Sequence, residues 1–241
     1  METVEKTKKA DKKSTAPKEA IQDSFIVPPD PEKVLEVDVL GAPEGMLQNQ
    51  LRPETKHELQ YGKAAGASET KEQKTEKAKA NWIGSGHFAK DGRRGHPSES
   101  FLKAMQQAVT MVILSGGKKT SSKVMVLRCL SVLPDAFSKE GLPLCCFTDD
   151  PKANFSSKVE PAEHWANNKN SGGTPVPVYR THIPGGWKMT VKISYDSTVL
   201  RPQDVLMLMQ KAGTNVGMGA WRKEKGGVFG RWKVVGARAA N

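Results

Sequence analysis

The sequence predicts an α+β fold: a ferredoxin-like antiparallel sheet with two packed helices and extra strands, preceded by a disordered N-terminal tail. Three observations predict it. Apolar patterns of period two and of helical period follow one another in the order strand, helix, strand, strand, helix, strand, which is the order of a split β-α-β unit. Residues 1–32 are rich in Lys, Glu, Ser, Pro and Thr with almost no apolar clusters, too little to offset the entropy of ordering. The length of 241 residues suits one sizeable domain plus tails, and that domain is placed at residues 33–237.

The elements follow in order. Lys33 to Leu40 (KVLEVDVL) brings β-branched residues with a partial period of two and reads as the first strand, ended by Gly41, Ala42 and Pro43. Residues 51–80 return to Lys, Glu, Gln, Ala and Thr. They read either as a mobile insertion or as a polar helix held by i,i+4 charge pairs. Trp82 to Phe88 suggests a short strand. Pro97 and Ser98 then start a helix whose apolar stripe is Phe101, Leu102, Met105, Ala108, Val109, Val112 and Ile113. The Gly-Gly-Lys-Lys-Thr run after it lacks the ending and the upstream glycine of a phosphate loop.

Lys123 to Leu133 and Leu142 to Phe147 read as strands, Asp149 to Thr174 as a loop, and Pro177 to Ile183 and Trp187 to Tyr195 as two further strands. In the last of these Trp187, Met189, Val191, Ile193 and Tyr195 alternate with Lys188, Thr190, Lys192 and Ser194. One face is apolar; the other is either a phosphate-binding surface or an ordinary solvated one. A second helix opens at Pro202 and stops at Gly213, with Met207 and Met209 as packing residues. A final strand, Phe229 to Val235, closes the domain.

Charge is divided unevenly. Residues 1–80 carry 14 Lys+Arg against 15 Asp+Glu, and the remainder carries 23 against 11. The net +11 therefore belongs to the C-terminal two-thirds, a field that attracts polyanions. No apolar run approaches the roughly 18–20 residues needed to span a bilayer, and the N-terminus lacks the apolar region of a secretory signal. A cytoplasmic protein with no membrane partner is expected. Cys129, Cys145 and Cys146 form no C-x-x-C pair and read as buried thiols, so neither a disulfide framework nor a cysteine-based metal site is expected. No other cofactor is indicated.

Backbone freedom, flat rings and cations concentrate between Val216 and Val235 (VGMGAWRKEKGGVFGRWKVV). Arg222, Lys223, Lys225 and Arg231 are candidates for phosphate contact and Trp221 for base stacking. Gly217, Gly219 and Gly227 would let a nucleic-acid backbone approach closely. Phe229 and Trp232 are expected in the core. The alternative is a β-hairpin whose glycines only make the turn and whose aromatics only fill the core.

Two stretches carry a resemblance. Gly95 to Ala104 (GHPSESFLKA) resembles the Pro-x-Ser-x-hydrophobic-Lys-Gly/Ala helix opening of RAMP-superfamily proteins, the backbone subunits of CRISPR effector complexes, and Val216 to Arg231 resembles their C-terminal glycine-rich loop. Residues 33–41 and 81–235 are also similar to an uncharacterised family of tailed bacteriophages, which ends in G-x-G-x-W-R-P followed by G-x-F/Y-G-R-F; here Lys223 replaces the proline and Trp232 the last aromatic. The resemblance implies a module that binds single-stranded RNA, or single-stranded DNA, and self-assembles along the strand, with Lys103 as a further phosphate contact. A phage structural or assembly protein, or an interaction protein that mimics a CRISPR subunit and binds a phage or host protein, is the alternative. An RNA endonuclease is a third reading; it needs a general acid or base near the clamp, and His87 and His96, expected in loops flanking the first helix, are its candidates. No catalytic residue is assigned.

Overall fold

The computed structural model describes residues 31–48, 70, 72, 73, 76, 82, 85–114, 123–149, 161–167 and 175–240. The chain divides into residues 1–30 and residues 31–241. The expected tail, apart from Pro31 and Glu32, and most of the expected insertion at 51–80 lie outside the described residues. Within the latter, Thr70 and Gln73 cap each other: the Gln73 N–H donates to Thr70 Oγ1 at 3.3 Å and the Thr70 N–H to Gln73 Oε1 at 3.1 Å. That reciprocal pair is a helix-start device, and Glu72, Gln73 and Glu76 are helical.

Strand β1 (Glu32–Gly41) turns Leu35, Val37 and Val39 inward and its intervening residues outward. Its alternation makes it the inner strand on which a four-stranded antiparallel sheet is built. The remaining strands are β2 (Met46–Gln48), β3 (Gly95–Pro97), β4 (Leu130–Leu133), β5 (Ala136–Phe137), β6 (Pro143–Cys146), β7 (Pro161–Asn167), β8 (Pro175–Ile183), β9 (Lys188–Asp196) and β10 (Trp232–Ala239). The principal sheet runs β10-β1-β9-β4. Val37 opposes Val191 and Leu35 opposes Ile193, so the inner face is continuously apolar. The β1–β10 register shifts between Asp38 and Val39, an irregularity of the kind that adds local twist. Two three-stranded sheets, β2-β8-β7 and β3-β6-β5, flank it.

Helices α1 (Ser98–Ala108), α2 (Lys123–Cys129) and α3 (Pro202–Lys211) complete the framework. From α1 the side chains of Phe101, Ala104, Met105 and Ala108 are buried, and from α3 those of Val205, Leu208 and Met209. Phe101 meets the Trp232 indole edge-on at 5.3 Å, a geometry worth about 0.5–1.5 kcal/mol beyond the area it buries. Pro202 occupies the first turn of α3, and Asp204 accepts the Arg201 N–H at 3.0 Å, satisfying a donor the helix start leaves over. The helix does not stop at Gly213; a π-helical turn, Ala212–Val216, carries it into the glycine-rich segment.

Several expectations need correction. Lys123 to Leu133 is not one strand: its first seven residues form α2, with Val126 buried and Val124 and Leu127 exposed, and only Leu130–Leu133 is extended. Packing against α1 overrides the β propensity of its valines. The first helix gives way after Ala108 to a 3-10 turn, Val109–Met111, which leaves Ile113 70% exposed and outside the stripe. Trp82 and Ser85 are helical, and Phe88 enters only an isolated bridge with Arg94. The supposed loop at 149–174 contains β7, which pairs with β8. The last strand starts at Trp232 rather than Phe229 and runs to Ala239. Phe229 is half-buried, edge-on to His182 at 6.0 Å, while Trp232 is in the core as expected.

The sheet's polar face is not a basic platform either. Lys192 sits opposite Glu36 and Thr190 opposite Asp38. The Thr190 hydroxyl donates to Asp38 at 2.7 Å, and Arg238 of β10 bridges Glu36 at 2.7 Å and Asp38 at 2.8 Å. Lys192 and Arg238 thus stand against carboxylates brought in by β1, whereas Lys188 and Lys233 stand opposite Leu40. Among the described residues no helix is long and apolar enough to cross a membrane.

Candidate nucleic-acid interface

The segment from Gly217 to Arg231 is neither a two-stranded hairpin nor an open clamp. It is an irregular loop stitched to its surroundings by main-chain hydrogen bonds. Ala220 N–H donates to Leu47 O at 2.7 Å, Gly230 N–H to Gly45 O at 2.8 Å, and Met218 N–H to Gly230 O at 3.0 Å; Gly227 N–H returns to Arg222 O at 3.1 Å and Phe229 N–H to Trp221 O at 3.2 Å. A 3-10 turn, Lys223–Lys225, forms its tip.

The glycines serve this closure. A Cβ on Gly227 would lie 1.7 Å from the Trp221 carbonyl oxygen, and Gly219, at φ +78°, would place one 2.1 Å from Leu47 O. Gly217 is less crowded, with Gly230 O at 3.2 Å. The close approach expected of a nucleic-acid backbone is thus made by the chain's own carbonyls. Trp221 has φ +51°, the only positive value among the described non-glycine residues. That strained backbone turns the indole outward, 45% exposed, an orientation that suits stacking.

Arg222 directs Nε and Nη2 to one oxygen of Glu224 at 2.9 and 2.8 Å, and Nη1 to Gly219 O at 3.3 Å. The other Glu224 oxygen stands 3.8 Å from Lys225 Nζ. Lys223 Nζ donates to Thr214 O at 3.0 Å. Arg231 is bound to Glu44, and Lys103 to Glu99 at 2.7 Å across one helical turn. Lys103 and Arg222, over a hundred residues apart in sequence, line one cleft of about 330 Å³ with Ser100, Gln107, Gly217 and Glu224. Arg231 and Lys223 do not line it; they border a second cleft. Sequence reasoning missed the counter-ions. The i,i+4 spacing of Glu99 and Lys103 was a usable signal, whereas nothing in sequence ties Glu44 to Arg231.

Of the two histidines expected in loops, His87 lies in irregular chain and His96 in a strand. His96 lies in β3, the His87 carbonyl accepts the Gly95 N–H at 3.1 Å, and the two rings meet edge-on at 6.0 Å. Both are buried. Burial first, and the neighbouring His87 second, lowers the His96 pKa to about 3, so its ring is neutral. Arg94, whose guanidinium lies 4.3 Å over the Phe88 ring, is lowered to about 10 by burial. Cys145 and Cys146 are buried and both thiols are pushed up, by burial first; Cys129, half-buried at the end of α2, is also raised. Among the described residues no group of three His, Cys, Asp or Glu side chains is placed to hold a metal.

No protein-family model matches the sequence, and no curated protein matches it. Among solved structures the chain is similar to a chain of type III-B Cmr-beta bound to cognate target RNA, at 8% identity and a TM-score of 0.42, over 87% of this chain and 61% of that one. It is also similar to Csc2 of Thermofilum pendens, at 10% identity and a TM-score of 0.32, over 92% of this chain and 71% of that one. The chain therefore spans about three-fifths of the Cmr-beta chain it matches.

Proposed function

We propose that this chain is a non-enzymatic nucleic-acid-binding module that holds a single strand, RNA in preference to DNA, at the cleft between α1 and the glycine-rich loop. The observation that carries the reading is convergence: the helix-opening motif and the glycine-rich motif supply Lys103 and Arg222 to one cleft; the exposed Trp221 precedes Arg222 in the chain without lining that cleft. The strand order β10-β1-β9-β4, with α1 and α3 each contributing a buried apolar stripe, supports a ferredoxin-like framework for it. Phosphate displaces Glu224 from Arg222 and Lys225, and a base stacks on Trp221.

The test is anisotropy of matched labelled single-stranded RNA and DNA across a salt series. RNA binds the more tightly. The double reversal Arg222→Glu/Lys225→Glu weakens binding at least about tenfold and reduces the salt slope by about 1.4, at roughly 0.7 per phosphate contact for single strands. Unchanged affinity and slope remove the loop from the site.

One further observation favours self-assembly as a second reading. Met111, Ile113, Val124 and Leu127 are all at least half exposed; Met111 ends the turn after α1, Ile113 follows it, and the other two lie on α2, which contacts that turn. Large exposed apolar side chains of this kind suit a contact with another protein. Sedimentation that stays monomeric with and without a bound strand removes this reading.

A further inference from the structure

We propose that the second cleft bordering the glycine-rich loop, which shares no lining residue with the first, binds a phosphorylated nucleoside. Its volume of about 830 Å³ lies within the usual 300–1,000 Å³ range of small-ligand sites. The floor is main chain locked to main chain: Gly41 N–H donates to Trp187 O at 2.7 Å and Ala42 N–H to Arg231 O at 2.9 Å. A Cβ on Gly185 would fall 2.1 Å from Pro43 O. Gly41, Gly185 and Gly186 line the cleft without side chains on interlocked backbone, which favours a preformed site.

Leu40 and Pro43 supply apolar wall, and Lys223, Arg231 and Lys233, all within eleven residues of the chain, supply three cations. Lys223 is held by Thr214 O, and Arg231 by Glu44 with its Nε buried and unpartnered. Among the described residues no carboxylate pairs with Lys233. Three cations against the one carboxylate of Glu44 match a phosphate monoester dianion. The apolar wall beside them matches a flat base better than it matches inorganic phosphate alone. A free nucleotide and one nucleotide unit of a bound strand share this chemistry.

The experiment measures anisotropy of ribose-labelled adenosine 5′-monophosphate on the full chain, with inorganic phosphate and an unlabelled single strand as competitors. The nucleotide binds with Kd below about 1 mM, and phosphate competes at least about tenfold more weakly. Lys233→Glu weakens nucleotide binding about tenfold or more and Lys233→Gln weakens it less, whereas the same reversal at exposed Lys139 has no effect. Displacement by the strand assigns the site to a unit of that strand; simultaneous binding assigns it to a free nucleotide. No nucleotide binding at 1 mM, about the weak end of small-ligand affinities, or equal binding by Lys233→Glu and wild type, overturns the proposal. Because Lys233 lies outside the first cleft, this result is independent of the Arg222 and Lys225 reversal.

Discussion

The glycine-rich loop and the outer face of the principal sheet both carry recurring cations, and they differ in what opposes them. On the sheet, Lys192 and Arg238 face Glu36 and Asp38 across fixed strand registers. In the loop, Arg222 and Lys225 face one carboxylate, Glu224, carried by the same short 3-10 turn. The charges of Lys192 and Arg238 are opposed by partners from another strand, held by the fold itself. The loop's are neutralised by a local group that an incoming anion can replace. A basic pattern acquires its meaning from its opposing element.

The comparison is broken most severely at the backbone. Gly227→Ala forces a Cβ against the Trp221 carbonyl and destabilises the protein by about 3 kcal/mol or more, read in a denaturant titration. In β10, Gly236→Ala meets only the end of the Asp38 side chain, at 3.1 Å, and costs less than about 1 kcal/mol. Equal losses would mean that the loop is no more tightly closed than the strand.

Acid acts on the scaffold that both regions share. The folded pKa of His96 is depressed to about 3 from the ordinary 6.5, so the unfolded chain takes up the proton first. The contribution of the neutral ring is complete above pH 6.5 and falls by about 1.4 kcal/mol per unit as pH drops toward 3. In His96→Phe that part of the acid limb is flattened. A limb as steep as wild type would place the acid sensitivity elsewhere.

Smaller effects come from charge alone. Lys188→Glu/Lys192→Glu on the sheet changes strand affinity by less than about threefold, against tenfold or more for the pair in the loop. Glu224→Gln frees Arg222 and Lys225, raises affinity about threefold and steepens the salt slope. Weaker binding by that variant would make Glu224 a positioning residue for Arg222 rather than a competitor of the phosphate.

Much of the framework was legible in the sequence because it is written in periodicity. β1, β9, α1 and α3 each alternate or repeat in the way their burial requires, and each was located to within a few residues. α2 was misread because its valines favour a strand in isolation, and only contact with α1 decides otherwise. β7 carries no strict alternation and depends on β8 for its hydrogen bonds. At the site, residue types are visible in the sequence but their placement is not: Lys103 shares a cleft with Arg222, and Arg231 pairs with Glu44, only through the fold. The glycines' conformational freedom is visible in the sequence, whereas the identity of the backbone filling their space is a tertiary fact.

The pairing of β1 with β10 has a mechanical consequence. Leu35 opposes Ala239, and Ala240 N–H reaches Val34 O at 3.0 Å, so the chain enters and leaves this sheet at one corner. Tension applied from either side along the polypeptide loads these two strands as a zipper, opening their hydrogen bonds one after another rather than shearing them together. The glycine-rich loop joins β10 at the opposite end of that zipper. It is the last part of the pair to feel the pull, so a domain tugged from this corner keeps the loop in place while its seam begins to part.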